Sequence, residues 1–181
     1  MVKKTDNMIR EVEHVDIVNK SSFELPEYGT ADSAGVDLRA DFKEKERVDD
    51  FVCYGGTIDI IKEDDKITTL IIKPGCRIVI PTNLYIKLPI GYELQIRPRS
   101  GISLKKGLQV MNTPGTIDSD YIGNIGVILF NPLPNDFIRV EHSEKIAQAV
   151  LSSYKQISWN QVDTLEETER GSGGYGHTDK K

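Results

Sequence analysis

The chain has 181 residues, a length that suits one compact domain with a core of ordinary size. Of these residues 38% are hydrophobic and 28% are charged, and the formal net charge is −5. This acidic balance excludes a general electrostatic attraction to nucleic acid or to an anionic membrane, so any bound phosphate must be met by a local group of side chains.

The first residues and the cysteine count predict a cytoplasmic protein. The opening run MVKKTDNMIREVEHVDIV is polar and charged, and it lacks an apolar stretch of signal-peptide or membrane-span length. The two cysteines, Cys53 and Cys76, are too few for a disulfide framework and fit a reducing compartment. The histidines are scattered without the spacing of zinc ligands, so a zinc site is not expected.

Short apolar runs rich in β-branched residues predict strands along most of the chain. In chain order these are VDIV from Val15, TIDIIK from Thr57, ITTLIIK from Ile67, CRIVIP from Cys76, LYIKLP from Leu84, YELQIRP from Tyr92, IGVILFN from Ile125, FIRVE from Phe137 and IAQAVL from Ile146. Only SLKKG, from Ser103, suggests a turn or two of helix. Many short strands separated by Gly, Pro, Asn and Asp predict an all-β sandwich, jelly roll or distorted barrel.

After the last apolar strand, which we expect to end near Ile157, the chain becomes polar. We expect a β domain of residues 1–158 and a flexible C-terminal arm of residues 159–181, because the arm has no core of its own. The arm contains RGSGGYGHT, whose glycines match the spacing G-x-G-x-x-G. A dinucleotide-binding unit would need a helix after this run, and too few residues follow. By itself the run is most simply a mobile tail.

Two internal stretches contain side chains that could bind a phosphate or a metal ion. SAGVDLRA, residues 33–40, places Asp37 in an otherwise apolar strand, where a carboxylate needs a partner or a cation. A hydrogen bond to the local backbone is the alternative. RPRSG, residues 97–101, ends a strand with side chains and exposed backbone N–H groups that could ligate phosphate. A charged strand end facing water is the alternative.

Two further stretches carry polar side chains between strand-like runs. NTPGTIDSDYIGNIG, residues 112–126, predicts a turn or hairpin with Asp118 and Asp120 on one side, because residues i and i+2 share a face of a strand. Two neighbouring carboxylates could bind a metal, or one of them could act as a base while the other takes no part in the reaction. The alternative is that the segment is an acidic turn exposed to water. HSEKIAQAVL, residues 142–151, places the amide of Gln148 among aliphatic residues, which is a weak signal alone.

Together, and in this order, these stretches resemble the five motifs of the trimeric dUTPase family, the deoxyuridine triphosphate nucleotidohydrolases. The family motifs are A-G-x-D-L, P-R-S-G, G-x-I-D-x-D-Y-x-G, E-K/R-I-A-Q and R-G-x-G-G-F-G. They stand here at residues 34–38, 98–101, 115–123, 144–148 and 170–176, with Tyr175 where the family usually has Phe. The resemblance implies a distorted jelly-roll or β-barrel fold, the β-clip of dUTPases, in a homotrimer with a swapped C-terminal arm.

The resemblance also implies an activity and a role for each motif residue. The reaction would be Mg²⁺-assisted hydrolysis of dUTP to dUMP and pyrophosphate, which limits uracil incorporation into DNA and supplies dUMP for dTMP synthesis. Asp118 would be the base for in-line attack of water on the α-phosphorus, Arg170 would act like an arginine finger, and Asp37 would hold Mg²⁺ through its water shell. The implied substrate-binding residues are Arg99, Ser100, Gly101 and Gln148 for the phosphates, Asn112, Gly115, Thr116, Ile117 and Tyr121 for deoxyuridine, and Tyr175, Gly176, His177 and Thr178 on the arm, with Tyr175 stacked on uracil.

Two other functions stay open. The dCTP deaminases share this fold and a related hairpin, but their reaction relies on a glutamate, whereas this chain has the glycine-rich arm and Asp118. A nucleotide-sensing regulatory protein is the second alternative, either without catalysis or in addition to it.

The connection between Ala40 and Pro74, with an insertion at about residues 42–71, is longer than the connection usual in the family by roughly twenty residues. Such a surplus is uncommon in a compact domain unless it has its own structure or a function. The runs TIDIIK and ITTLIIK around EDD predict a hairpin-like protrusion near the active-site side. Its edges and the aromatic residues Phe51 and Tyr54 could dock a regulatory protein, or the segment could be a decorative insertion. The corresponding hypothesis is a phage-type dUTPase that works in the host cytoplasm.

Overall fold

The structure is a computed structural model, and it describes residues 12–174. Within this range the elements in chain order are β1 (Asp16–Asn19), β2 (Val36–Arg39), a 3-10 turn (Val48–Asp50), β3 (Cys53–Tyr54), β4 (Ile58–Glu63), β5 (Lys66–Ile72), β6 (Arg77–Lys87), β7 (Tyr92–Arg97), α1 (Ser100–Lys106), β8 (Gln109–Val110), β9 (Gly115–Ile117), β10 (Asn124–Phe130), β11 (Ile138–Glu141) and β12 (Lys145–Ser153). The all-β prediction is confirmed, and every predicted apolar run contributes to a strand. The runs from Cys76 and Leu84 join in the long strand β6.

The strands form three antiparallel sheets. The first sheet has the order β1-β6-β10-β8 with β3 also paired to β6, the second has β11-β5-β4, and the third has β2-β12-β7-β9. In the third sheet β12, from the end of the domain, lies between β2 and β7. This crossover brings distant parts of the sequence to one surface.

Alternation of side chains builds one core from all three sheets. In β10 the buried residues are Ile125, Val127 and Leu129, every second position, as expected for a strand with one face inward. The buried residues form a single hydrophobic cluster that also includes Leu38 from the third sheet and Leu70 from the second.

The hairpin predicted in residues 42–71 is present, but the prediction that it protrudes from the domain is wrong. Strands β4 and β5 pair with Glu63 opposite Lys66, so Asp64 and Asp65 form a two-residue turn. Both turn residues have positive φ, 48° and 62°, as a tight hairpin turn requires, and Asp tolerates this conformation. On its other side β5 pairs with β11, which makes it the central strand of the second sheet.

The side chains of this segment also contribute to the core. Phe42 and Phe51 are buried and meet edge to face, with ring centroids 5.7 Å apart. Phe51 is therefore not part of a docking surface, whereas Tyr54 is 66% exposed. Replacing residues 42–71 by a short link would remove these rings and the buried Leu70, so it would test folding rather than docking.

The described part of the arm makes no strand or helix, and it forms turns at residues 169–172. The last strand ends at Ser153, earlier than the predicted end near Ile157, and no regular element follows through Gly174. Two large apolar side chains of the arm, Trp159 and Leu165, are 86% and 87% exposed. In residues 12–174 no helix is long and apolar enough to cross a membrane.

Candidate active site

The third sheet places three of the five motifs side by side. Asp37 on β2 is the register partner of Gln148 on β12, and Gln148 is the partner of Arg97 at the end of β7. Arg99 and Ser100 follow that strand end after Pro98. Residues that are far apart in sequence therefore meet because β12 pairs with both of its neighbours.

Asp37 lies at the centre of a small charged cluster. Its Oδ1 accepts a hydrogen bond from Arg99 Nε at 2.6 Å, and its Oδ2 forms an ion pair with Lys145 Nζ at 2.8 Å. Partial burial by itself would raise the pKa of Asp37, but the hydrogen bonds and charges of Lys145 and Arg99 outweigh it and lower the pKa below its ordinary value. The carboxylate is thus ionised at neutral pH. Its stabilising contribution is present above the ordinary carboxyl pKa and is lost as the pH falls through the lowered one.

This cluster does not form an inner-sphere metal site. In the described part of the chain no group of three or more His, Cys, Asp or Glu side chains could hold a metal ion. Both oxygens of Asp37 already face a cation, so Asp37 fits a contact to a metal-bound water better than a direct bond to a metal. An ionised carboxylate has about four acceptor positions, so it can still accept hydrogen bonds from water.

The segment after β7 begins α1 and presents an open surface. Ser100 is exposed at the first position of α1, and a Cβ atom at Gly101 would have no neighbour within 4 Å. The chain's own packing therefore does not require a glycine at position 101. Lys106, in the last turn of α1, pairs with Glu144 and also donates to the carbonyl oxygen of Arg139 at 2.8 Å, which ties the helix to the motif on β12.

Gln148 is fixed by contacts on both sides. Its Nε2 donates to the carbonyl oxygen of Pro98 at 2.9 Å. A Cβ atom at Gly35 would lie 3.0 Å from Gln148 Oε1, so the glycine of the first motif leaves room for this amide. The amide that appeared isolated among aliphatic residues is thus held next to Asp37 and the phosphate-ligand candidates.

Residues 112–123 lie at the other edge of this sheet and form turns around the short strand β9; they do not form a β-hairpin, because within the described residues β9 pairs only with β7. Asp118 and Asp120 follow the end of β9 in turn and irregular backbone, so the prediction that they share one face of a strand is wrong. Strand β9 pairs with β7, with Gly115 opposite Ile96, Thr116 opposite Gln95 and Ile117 opposite Leu94. A Cβ atom at Gly115 would lie 3.0 Å from Asn112 Nδ2, so the Asn112 amide closes over the backbone at this glycine.

Tyr121 closes over the other end of this turn segment. Its Oη donates to the carbonyl oxygen of Asn124 at 2.9 Å. A Cβ atom at Gly123 would lie 2.5 Å from that Oη, so only glycine allows this position of the ring. Tyr121 is 44% exposed and presents one surface of the ring to solvent.

The two predicted catalytic residues do not reach the Asp37 cluster within one chain. Asp118 is exposed, and among residues 12–174 no hydrogen bond or ion pair involves its carboxylate. Arg170 donates through Nε to the carbonyl oxygen of Gly173 at 2.8 Å, inside the arm itself. Tyr175, Gly176, His177 and Thr178 lie outside the described residues.

Lys145 is the site residue that our sequence analysis missed. The motif E-K-I-A-Q contains it, but no role was assigned to it, and only the pairing of β2 with β12 shows that it shares Asp37 with Arg99. The basic position of the family motif E-K/R-I-A-Q was the available signal, and a register shift between Lys145 and Ala147 in the pairing of β12 with β2 could not be read from the sequence.

Comparisons with known proteins agree on one family. A family model described as dUTPase matches residues 66–179. The deoxyuridine 5'-triphosphate nucleotidohydrolase of Fusobacterium nucleatum is 40% identical over 92% of this chain and 97% of its own length. That of Treponema denticola is 46% identical over 85% of this chain and 90% of its own length.

Solved structures show the same fold. The dUTPase of Staphylococcus bacteriophage 80alpha with dUpNHpp has a TM-score of 0.68 at 22% identity, and the match covers 92% of this chain and 98% of the phage chain. The dUTPase from phage phi11 of S. aureus, described as carrying a species-specific insert, has a TM-score of 0.63 at 20% identity and covers 86% of this chain and 100% of that one. A mutant of the phi11 protein is described as coordinating a structural Mg(II) ion.

Proposed function

Because this chain belongs to the dUTPase family and hydrolyses dUTP to dUMP and pyrophosphate, we propose that a homotrimer assembles its catalytic site from different copies of the chain. One observation carries the proposal. The Asp37 cluster is complete within one chain, whereas neither Asp118 nor Arg170 makes any hydrogen bond or ion pair to it among the described residues. The missing base and the missing cation are then supplied by neighbouring subunits.

Exposed apolar surface supports the association of copies. A groove of about 360 Å³ is lined by Ile17, Val18, Tyr85, Ile86 and Ile122, and Val18 and Ile122 are 56% and 67% exposed. Apolar side chains grouped in this way mark an interaction surface more often than scattered single ones do. The exposed Trp159 and Leu165 of the arm fit a swapped segment that packs on another subunit.

In the proposed reaction, water attacks the α-phosphorus in line and pyrophosphate leaves. Asp118 takes the proton of this water, while Arg99 and Ser100 donate to the oxygens on which charge develops. Gln148 contacts the γ-phosphate, and Arg170 adds a further cation from the arm. Tyr175, with Gly176, His177 and Thr178, closes over the uracil and the phosphates.

We assign the contact with magnesium to Asp37. Mg²⁺ keeps most of its waters and binds readily to substrate phosphates, so Asp37 would contact its water shell without giving up Arg99 and Lys145. When bound, the ion would neutralise charge on the triphosphate. Lys145 and Arg99 hold the Asp37 carboxylate ionised and in place for this contact.

The direct test of the activity is pyrophosphate release from a panel of nucleotides. We expect rapid release from dUTP with Mg²⁺, and little release from dTTP, dCTP or UTP. Ammonia release from dCTP would instead indicate the related deaminase reaction. Subunit mixing, described in the Discussion, tests separately whether the site lies between copies.

Gly101→Ala is expected to lower dUTP hydrolysis at least tenfold without lowering stability. The added methyl group would occupy open space next to Ser100, where the proposed phosphates lie. Alanine is favoured over glycine in a helix by up to about 1 kcal/mol, so the free energy of unfolding should stay equal or rise. Steady-state kinetics and denaturant unfolding measure the two effects. Ser103→Ala, on another side of α1, is the matched control, and equal activity of both variants would contradict a phosphate site at Gly101.

Tyr121→Ala is expected to raise the hydrolysis of UTP relative to dUTP, by roughly tenfold or more, because it opens the space that a 2′-hydroxyl would need. Tyr121→Phe keeps the ring and loses only the hydrogen bond to Asn124, so it should retain the preference for deoxyribose. Competition kinetics with both nucleotides measures the ratio of the kcat/KM values. An unchanged ratio in Tyr121→Ala would place the exclusion of ribose elsewhere.

A second function, regulation of another protein, is supported by a described property of a phage dUTPase and by two exposed side chains of this chain. Phage 80alpha dUTPase is described as controlling the transfer of virulence genes by a G protein-like mechanism. In this chain Val52 and Tyr54 are 55% and 66% exposed on the segment that precedes the β4–β5 hairpin. We propose that these two side chains dock a regulatory protein in a way that depends on the bound nucleotide.

The double variant Val52→Ser and Tyr54→Ser is expected to keep dUTP hydrolysis and to lose nucleotide-dependent capture of a partner from host lysate. Both side chains are exposed, so their replacement leaves the core intact. Ile90→Ser, at a 93% exposed position on another turn, is the control. Equal capture by the double variant and the control would reject the surface.

The presence of free thiols supports a cytoplasmic location for both functions.

A further inference from the structure

The two cysteines of the chain, far apart in sequence, are in direct contact. Cys53 lies on β3 and is half-buried, while Cys76 lies just before β6 and is fully buried. Their sulfur atoms are 2.7 Å apart, and both are free thiols. Strand β3 pairs with β6 with Tyr54 opposite Arg77, so this contact is part of the sheet and not of a loose loop.

The backbone around the pair is closely fitted to this contact. A Cβ atom at Gly56 would lie 3.0 Å from Cys76 Cβ, and one at Gly55 would lie 2.9 Å from the carbonyl oxygen of Gly75. Gly55 also has a positive φ of 74°. Two consecutive glycines therefore let the chain turn tightly over Cys76, which keeps Cys53 against it.

We propose that Cys53 and Cys76 form a redox modification site, in which hydrogen peroxide converts the two thiols into a reversible intramolecular disulfide. Neither residue belongs to the catalytic site. Cys53 and Cys76 are on or beside the first sheet, whereas Asp37 and Gln148 are on the third. The modification therefore acts on stability and leaves the chemistry of dUTP hydrolysis unchanged.

The chemistry balances with one peroxide. The half-buried Cys53 sulfur attacks a peroxide oxygen and breaks the O–O bond, which gives a sulfenic acid and one water. The Cys76 sulfur then attacks the Cys53 sulfur, breaks the S–O bond and releases the second water. In total two thiols lose two electrons and two protons, and peroxide is reduced to two waters.

The order of these steps follows from the environment of each sulfur. Burial, together with the contact to Cys53, raises the pKa of Cys76 to about 12, so Cys76 remains a thiol until the neighbouring Cys53 is oxidised. Cys53 is the more exposed of the two and is the one that peroxide reaches first. Only a small fraction of Cys76 is thiolate at neutral pH, which slows its attack. This is offset because the Cys76 sulfur already lies against the Cys53 sulfur and does not have to diffuse to it.

The disulfide would tie together a large part of the domain. It closes a loop from β3 to β6 that contains the whole β4–β5 hairpin. Such a loop restricts the unfolded chain, so the oxidised protein should unfold at a temperature higher by roughly 5–10 °C.

The test uses the full chain, treated with graded hydrogen peroxide and then alkylated under denaturing conditions. We expect intact mass spectrometry to show a loss of two hydrogens with no alkylation, and peptide mapping to link Cys53 to Cys76. The thermal midpoint should rise, and dithiothreitol should restore both the mass and the midpoint. Hydrolysis of dUTP at a temperature below both midpoints should be equal in the two states.

Cys53→Ser is the control, and its Cys76 should remain fully alkylatable after the same treatment. Over-oxidised cysteine in the native chain, a disulfide between two chains, or two alkylated thiols after peroxide would each overturn the proposal. An unchanged thermal midpoint in a protein with the mapped disulfide would overturn the stabilising role.

Discussion

Asp118→Asn is expected to reduce the turnover of dUTP by about 10²–10⁴-fold, the range that general acid–base catalysis contributes. Asparagine has nearly the same shape as aspartate but cannot accept the proton of the attacking water at neutral pH. Because the Asp118 carboxylate is exposed and makes no hydrogen bond or ion pair in residues 12–174, the fold should not change. Single-turnover kinetics with dUTP measures the chemical step directly.

Binding and folding provide the controls for this variant. The affinity for a non-hydrolysable dUTP analogue and the thermal midpoint should both stay close to those of the unchanged chain. Asp120→Asn removes the neighbouring exposed carboxylate and should leave turnover nearly unaffected. If Asp118→Asn retains near-normal hydrolysis, the base is another group, and if Asp120→Asn is the inactive variant, the two assignments must be exchanged.

Ending the chain after Glu169 is expected to slow hydrolysis by about 10³–10⁵-fold, the range given by arginine fingers in other phosphoryl-transfer enzymes. The change removes Arg170 and the glycine-rich run, and within residues 12–174 the last residue that packs on the core is Leu151. The shortened chain should therefore fold, assemble as the proposed trimer and still bind dUMP. Light scattering, thermal unfolding and dUMP titration check these points, and an unfolded or monomeric product would give the run a structural role.

Mixing the two inactive proteins tests whether the site lies between subunits. After the subunits are exchanged, the shortened chain supplies an intact Asp118 and the Asp118→Asn chain supplies an intact Arg170. If these residues act from different subunits of a trimer, random assembly should restore about a quarter of the sites. If both residues act from the same chain, no activity returns at any mixing ratio.

The sequence alone was sufficient to predict the longer strands and to locate the motifs, but not the short strands β3, β8 and β9. Ile125, Val127 and Leu129 alternate with less buried positions, and this period of two reflects how successive side chains point from an extended backbone. The β4–β5 hairpin was likewise predictable from EDD between two strand-like runs, because the turn depends on residues that are adjacent in the chain.

The position of residues 42–71 could be decided only by tertiary structure. From its length the segment was expected to protrude, but β5 pairs with β11, from a much later part of the chain. Phe51 and Tyr54 were indistinguishable as aromatic residues in a polar stretch, and the contact with Phe42 buries only Phe51. The sequence pattern shows which side chains of a strand are buried, but it does not show which other strand or which ring they pack against.

The charged cluster of the site shows the same limit. Asp37 was expected to need a partner or a cation, since a half-buried carboxylate in an apolar strand is costly without one. That its partners are Arg99 and Lys145 follows only from β12 lying between β2 and β7. Side-chain periodicity and turn chemistry are local and can be read along the chain, whereas the pairing of distant strands depends on the packing of the whole core.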